Sequence, residues 1–449
     1  MAAVLKSLTD PAVERYRDRY AETRTDLPGA SNGWVAALRD TAIARFADTG
    51  VPTRRVESWK YTDLRPLLRE DFAPASGSTA VGPDAIAPYL IDGAHVAVFV
   101  DGAFAPGLSR LDALPDGVTL VSLADSLNAG DEAACNELGQ VAANDEPGFA
   151  ALNAALMRDG AVIRVADGAT IEAPVQLVFV TTEGFSGEAH LRNLVVLGAD
   201  SRATLVRTHI ALGASTGFCE VVTEAIIGQG ATLRHATLQA ESTAAFHIAL
   251  TAVRVGRDAA FDSFALSAGA RLARNEIRVR LDGEGGDCAL NGIALVRGRQ
   301  HADNTTDVDH AKPHCRSSQL YKNVLDDRGR SVFQGRIHVA PDAQKTDAHQ
   351  MNRNLLLSRD AQADSKPELV IHADDVKCSH GATVGDLDRD ALFYLESRGI
   401  EEMAARNLLV RGFAAEMLDG IADEAVRAHI EAALTGWLDG MKAAAEAAA

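Results

Sequence analysis

The sequence predicts a mainly β chain in which a solenoid of stacked coils sits between two helical ends. Three observations carry the prediction. Between residues 160 and 375 the helical period almost vanishes, and short runs rich in Val, Ile, Leu and Thr are cut by Gly, Asp or Asn. A local motif recurs inside that region, a small or polar turn leading to a large apolar residue. On either side, apolar residues return at spacings of three and four.

The first 70 or so residues read as helical. Val13, Tyr16 and Tyr20 recur at helical spacing, as do Trp34, Leu38, Ile43 and Phe46, with Pro28-Gly29 and Gly50-Val51-Pro52 as punctuation. Ser76 to Pro88, rich in Gly and Ser, reads as a linker. From about Ala94 strands begin, such as Val96–Val100, Val175–Val180 and Leu194–Leu197. The motif anchors are Ile171, Leu205, Leu233, Phe261, Leu290 and Phe333, separated by 34, 28, 28, 29 and 43 residues. Near-constant spacing fits coils stacked one strand width apart, about 4.8 Å. A β-sandwich also has many short strands, but nothing in it repeats a local motif at a fixed interval. Open sheet edges in such a stack need cover from flanking helices or from a partner's sheet. After Asp390, Leu409, Phe413 and Met417, then Val426, Ile430 and Leu434, restore the helical period around Gly420 and Asp423. The alanine-rich tail from Lys442 to Ala449 reads as a fraying helix end. The expected domains are residues 1–90, helical with the linker; 91–385, the β-solenoid core; and 386–449, helical.

Composition narrows the function. The chain has 449 residues, 44 Lys and Arg against 62 Asp and Glu, and a net charge of −18. An acidic chain of this kind is not expected to bind nucleic acid or an anionic membrane surface. No apolar run approaches the roughly 20 residues of a spanning helix, and Met1–Lys6 lacks the apolar core of a secretory signal. Five scattered cysteines without a CxxC read as free thiols in a reducing compartment, and a cytoplasmic location is expected. No phosphate-binding G-x-x-x-x-G-K-[ST] loop and no G-x-S-x-G elbow occur. Gly283, Gly285 and Gly286 lie between strands and read as turn glycines.

Three stretches carry candidate chemistry. His301, Asp303, Asn304, Asp307, Asp309, His310, His314 and Cys315 offer metal donors, but at no standard zinc spacing, and Pro313 breaks any helix that would pair His310 with His314. The bland reading is a hydrogen-bonded polar ladder. In Asp374–His380, an extended strand puts Cys378 and His380 on one side, a half-site for iron with Lys377 close enough to favour the thiolate. His349, the 301–315 stretch or a partner chain would complete it; a buried cysteine beside a bonded histidine is the bland alternative. Arg54–Asp63 reads as a helix entry, with Trp59 and Tyr61 packed and Arg55 paired to Glu57.

These motifs resemble one family. Gln344-Lys-Thr-Asp-Ala-His349, Asn354–Ser358, Lys366-Pro367, Asp374–Gly385, Leu392–Ile400 and the outlying Arg55–Asp63 are similar to the SufB/SufD family of iron–sulfur cluster assembly scaffolds. The resemblance is densest from His301 to Phe413. SufB-type chains place a functional cysteine shortly before the triple leucine; here Met351-Asn-Arg-Asn354 stands there, so the SufD branch is the nearer one. The resemblance implies a right-handed parallel β-helix between helical domains. It also implies a non-enzymatic scaffold, paired with SufB through the β-helix and with the ATPase SufC through the C-terminal helices. Residues carried over for that second contact are Leu392, Tyr394, Arg398, Leu409 and Phe413. Cys378 and His380 match the family's SufB-interface cysteine and histidine, implying transient iron or a nascent cluster there and no stably bound cofactor. A homodimer of the chain in isolation is a further expectation. The alternatives are a purely structural partner for SufB and SufC that ligates no metal, and a β-helix enzyme holding acidic polysaccharide on Arg271, Arg274, Arg278 and Arg280.

Overall fold

The computed structural model describes residues 10–77, 81–142 and 148–448, with side chains through residue 440. The Met1–Lys6 segment, residues 78–80 of the expected linker and the last residue of the alanine-rich tail lie outside the described residues. The strands are β1 (Ala73–Pro74), β2 (His95–Val100), β3 (Ala103–Phe104), β4 (Val118–Ser122), β5 (Ala161–Val165), β6 (Val175–Thr181), β7 (Gly187–Leu197), β8 (Arg202–Ala211), β9 (Phe218–Ile227), β10 (Thr232–Ala240), β11 (Phe246–Val255), β12 (Ala260–Ser267), β13 (Leu272–Leu281), β14 (Asp287–Val296), β15 (His301–His310), β16 (Arg316–Leu325), β17 (Arg330–Val339), β18 (Asp347–Leu356), β19 (Gln362–Ile371) and β20 (Lys377–Gly385). From β6 onward each strand pairs in parallel with the strand two places away, so even strands build one sheet and odd strands the other. Two strands therefore make one coil of a parallel β-solenoid, as the spacing predicted.

The ladder shows where the motif anchors sit. Leu233 stands directly beside Phe261, 28 residues on. Leu205 is displaced by one inward position and pairs with His235, while Leu290 pairs with Ser263. Phe333 lies on the opposite sheet, in β17, because its 43-residue step is a coil and a half. Alternation along each strand sends one set of side chains into the interior and the other outward. The inward set forms an apolar core through most of the stack, including Leu205, Val221, Leu233, Val253, Phe261, Ile277 and Leu290.

Both outward faces are covered by helices. Helices α1 (Pro11–Thr23), α2 (Gly33–Thr49), α3 (Arg65–Leu68), α4 (Pro83–Ile86), α5 (Leu123–Ala129), α6 (Glu132–Cys135) and α7 (Phe149–Leu156) precede or interrupt the first coils. Helix α1 begins as its sequence dictates: Asp10 accepts from the Ala12 amide at 3.0 Å and Pro11 takes the first helical position. Tyr16, Phe46, Trp59, Phe72 and Leu152 then pack on Phe218, Phe246, Ile248 and Leu272 of the odd sheet. Helices α5 to α7, within the region read as solenoid core, are an addition the sequence reading did not contain. Helices α8 (Arg389–Ser397), α9 (Glu402–Ala415) and α10 (Glu424–Ala448) close the chain. Val410, Met417, Ile430, Leu434 and Trp437 cover Val206, Leu238, Phe264, Ile293 and Val324 on the even sheet. None of the described helices is long and apolar enough to cross a membrane.

Two buried ionic groups bind the N-terminal layer to the odd sheet. Arg192 on β7 pairs with Glu224 on β9 at 2.5 Å and donates to Asn153 Oδ1 of α7 at 3.1 Å. Glu224 also accepts from the amides of Gly139, Val141 and Ala142. Arg192→Ala should lower unfolding free energy by about 3 kcal/mol, the low end for a broken buried pair because three amides still serve Glu224; a loss under ~1 kcal/mol in urea unfolding would contradict it. In the second group, His190 contacts Glu220 at 2.5 Å and Glu188 at 3.2 Å, and Arg19 pairs with Glu188. Burial alone would lower the imidazole's pKa, but Glu188 and Glu220 outweigh it and raise it to about 9. With a raised folded pKa, the contribution is complete below the unfolded value near 6.5 and is lost as pH climbs through about 9. Denaturation midpoints should fall across that window, and the fall should shrink in His190→Gln.

Candidate functional site

The last coil differs from those before it. Strands β19 and β20 pair on one side only, with β17 and β18. Their other edges present unpaired backbone groups, and Pro367 removes one donor from the β19 edge. The side chains of β19 and β20 are half-buried or exposed along their whole length, whereas those of the inner coils are mostly buried.

Cys378 and His380 end two inward rows at this open end. Cys378 pairs with Ala348 and His380 with Gln350, both buried inward residues of β18. The Cys378 row runs back through Ala348, Ser317, Cys288 and Phe261, and the His380 row through Gln350, Gln319, Leu290 and Ser263. Toward the open end the interior turns polar. Thr306 donates to Gln319 at 2.6 Å, His310 shares a hydrogen bond with Ser317 at 2.9 Å, and Asn323 donates to Asn354 at 2.7 Å. A side chain at Gly335 would meet Gln350 Oε1 at 2.2 Å, so the glycine keeps room for the amide next to His380.

The neighbours proposed from sequence fall elsewhere. His349 lies on the outward face, hydrogen-bonded to Ser379 Oγ at 2.6 Å with Asp347 Oδ1 2.8 Å from its other ring nitrogen, so it does not join Cys378 and His380. Lys377 is also outward, and the Cys378 thiol is not pushed toward thiolate: burial, then the Asp347 charge, raises its pKa. The 301–315 stretch is the polar ladder. Asp303 pairs with Arg274, Asp307 with Arg336, and Asp309 with Arg280 and His338. His314 takes a left-handed turn conformation at φ 60°. Gly285, at φ 73°, is a turn glycine as read. In Arg54–Asp63, Trp59 is buried beneath the Arg274 guanidinium at 3.9 Å and Thr62 bonds His301 at 2.9 Å. The pairing expected there is corrected: Glu57 meets Lys366 of β19 at 2.5 Å rather than Arg55, because the turn lies against the solenoid edge. Three of the four arginines of the polysaccharide alternative are neutralised in the same way, since Arg274 and Arg278 share Glu276 and Arg280 holds Asp282 and Asp309, while Arg271 stands over the Phe246 ring at 5.7 Å.

The carried-over helix residues divide into two sets. Leu409 and Phe413 pack against the even sheet, and the Lys322 ammonium stands 4.6 Å over the Phe413 ring. Helix α8 buries no residue fully: Phe393 is 71% and Tyr394 56% exposed, with Leu392 half-buried beside them. The Arg398 guanidinium donates to Tyr394 Oη at 3.0 Å.

Comparison with known proteins fits this architecture. Residues 179–413 match the family model described as SUF system FeS cluster assembly, SufBD core domain, and residues 11–177 match the SufBD protein N-terminal region. The chain belongs to the SufBD family. It is 33% identical to the iron–sulfur cluster assembly protein SufD of Escherichia coli, over 89% of this chain and 92% of that protein. It is 34% identical to a SufBD family protein of Synechocystis, over 88% and 89%, and 30% identical to SufD of Bacillus subtilis, over 64% and 66%. This SufBD protein is thus a SufD homologue of the SUF system of iron–sulfur cluster assembly.

Solvent reach distinguishes its cysteines. Cys135, Cys219, Cys288 and Cys315 are buried and Cys378 is half-buried. Alkylation of the native protein followed by peptide mass mapping should modify Cys378 first, and at neutral pH more slowly than a free thiol because its pKa is raised. Equal labelling of a second cysteine would contradict the placement.

Proposed function

We propose that this SufD homologue is a non-catalytic scaffold of a SUF complex in the reducing cytoplasm, and that its open coil is where a SufB-type chain docks. The observation that carries the reading is the coincidence of two features at one place. The only solenoid edges of the last coil left without a strand partner among the described residues belong to β19 and β20. The two soft donors expected from sequence, Cys378 and His380, end the inward rows of that same coil. A second chain's strands laid along those edges would satisfy the backbone groups and bring its donors over the thiol and the imidazole. Iron takes both donor types. A site closed only by docking holds iron or a nascent cluster transiently, since separation of the chains removes part of the ligand set.

The exposed face of α8, with Phe393, Tyr394 and Arg398, suits a partner such as the ATPase SufC. This chain has no phosphate-binding loop of its own, so nucleotide chemistry belongs to that partner. Leu409 and Phe413 take part indirectly, by fixing α9 to the even sheet while α8 faces outward. Movement of α8 then reaches the open coil through the short 386–388 connection.

The raised pKa of Cys378 supports His380 as the more important donor. His380→Ala in an intact complex with SufB and SufC should lower the rate of cluster formation at least about tenfold, and Cys378→Ala should lower it less. Co-purification of all three chains shows that assembly survives the change. An unchanged rate with the complex intact would leave only the purely structural role.

A further inference from the structure

Four donor-bearing side chains meet inside the solenoid, several coils from the open end. They are His209 on β8, Cys219 on β9, Glu241 after β10 and His247 on β11, and their ligand atoms all lie within 4.8 Å of one another. All four are buried. Coil stacking assembles them: Cys219 and His247 are direct neighbours in the odd sheet, while His209 stands beside Gln239 in the even sheet, two residues before Glu241.

Part of the cluster is internally bonded. His247 Nδ1 contacts Glu241 at 3.0 Å, Gln239 Nε2 donates to Glu241 Oε2 at 2.8 Å, and the Cys219 sulfur lies within 4.8 Å of the same carboxylate. His209 is the exception. It is about 1% exposed, and neither ring nitrogen has a hydrogen-bond partner. Its ring is stacked on Phe179 at 4.6 Å and meets His247 edge-on at 4.8 Å. An imidazole used only for packing does not need two polar atoms left bare, because a phenyl or aliphatic group fills the same space without stranding them.

We infer that His209, Cys219, Glu241 and His247 form an internal site for one divalent transition-metal ion of the zinc or ferrous-iron class. Two imidazole nitrogens, one sulfur and one carboxylate oxygen make a four-donor set that suits borderline ions and excludes calcium and magnesium, which take oxygen ligands. Loading releases the thiol proton to solvent. The resulting thiolate and carboxylate carry two negative charges, matching a divalent cation. In the empty site burial, and then the Glu241 and Glu220 charges, hold the thiol pKa well above its ordinary value despite the nearby Arg207 guanidinium, so the proton leaves only as the ion binds. With all four donors buried, the ion would be retained as a cross-link between successive coils rather than exchanged. The site shares no residue with Cys378 and His380, so either reading can fail without the other.

The test uses the full-length chain, stripped of metal and titrated anaerobically with Co²⁺, then with Zn²⁺ or Fe²⁺ as competitor. One Co²⁺ per chain should bind, with tetrahedral visible absorption and a thiolate-to-cobalt charge-transfer band. The competitor that displaces it more strongly identifies the preferred ion. Cys219→Ser should abolish the charge-transfer band, and His209→Ala should weaken binding at least about tenfold. Cys378→Ala and His380→Ala should leave both signals unchanged. If the Cys219 or His209 variants do not fold, X-ray absorption of the wild-type zinc form decides the question, because it should show one sulfur at about 2.3 Å with lighter donors. Absence of stoichiometric binding, a first shell without sulfur, or loss of the band in Cys378→Ala would overturn the inference.

Discussion

The structure depends on one constraint, that each strand of a parallel stack must find backbone partners on both sides. Inside the stack the coils satisfy one another in register, residue beside residue, as in the pairing of β11 with β9 and β13. At the ends they cannot. The N-terminal end solves the problem with chain of its own: β4 pairs antiparallel with β5 and β3 antiparallel with β2. The C-terminal end leaves β19 and β20 without such a cap. An unpaired parallel edge presents a row of backbone donors and acceptors held only by water, a template that invites another chain. The asymmetry between a capped and an uncapped end is therefore the feature from which the docking reading follows.

Register also explains how much of the molecule was legible in the sequence. The coil period is visible because Leu233 and Phe261 are true neighbours. It blurs because turn lengths vary, and a two-residue change in a turn moves an anchor to the next inward position, as for Leu205 and Leu290. Phe333 shows the limit: a spacing alone does not reveal which of two sheets a strand joins. For the candidate site, the period of two was enough to put Cys378 and His380 on one face. Whether that face is the interior or the surface depends on the neighbouring strand, and this is why His349 and Lys377 were misplaced beside them. The internal histidine, cysteine and glutamate cluster had no comparable signal. Cys219 and His247 are 28 residues apart and adjacent in space only because a coil takes that many residues to return. The usable clue was a pair of donors separated by one coil period, a pattern that ordinary metal-motif spacings do not include.

Charge is arranged by the same ladder. Stacked outward rows place arginines and carboxylates of successive coils side by side, as in Arg280 with Asp309 and Arg336 with Asp307. These pairs are partly exposed and individually weak. Their effect is to remove like-charge repulsion between coils about 4.8 Å apart in a chain with a net charge of −18. The N-terminal turn uses the ladder as an anchor, with Trp59 under Arg274 and Glu57 on Lys366. Because Lys366 belongs to β19, that turn reaches the edge where a partner would dock, and the N-terminal layer is in position to brace the last coil.

The two donor sets differ in the property that decides residence time. A ligand set buried on all sides releases its ion only when coils part, so its exchange is tied to unfolding. A set at an open edge, completed by another chain, releases its cargo whenever the interface separates, which requires far less of the structure to move. Cluster assembly needs the second behaviour, since the product must leave. If both sets take metal, the four donors inside the stack would hold the coils together, and the two at its end would hand something on.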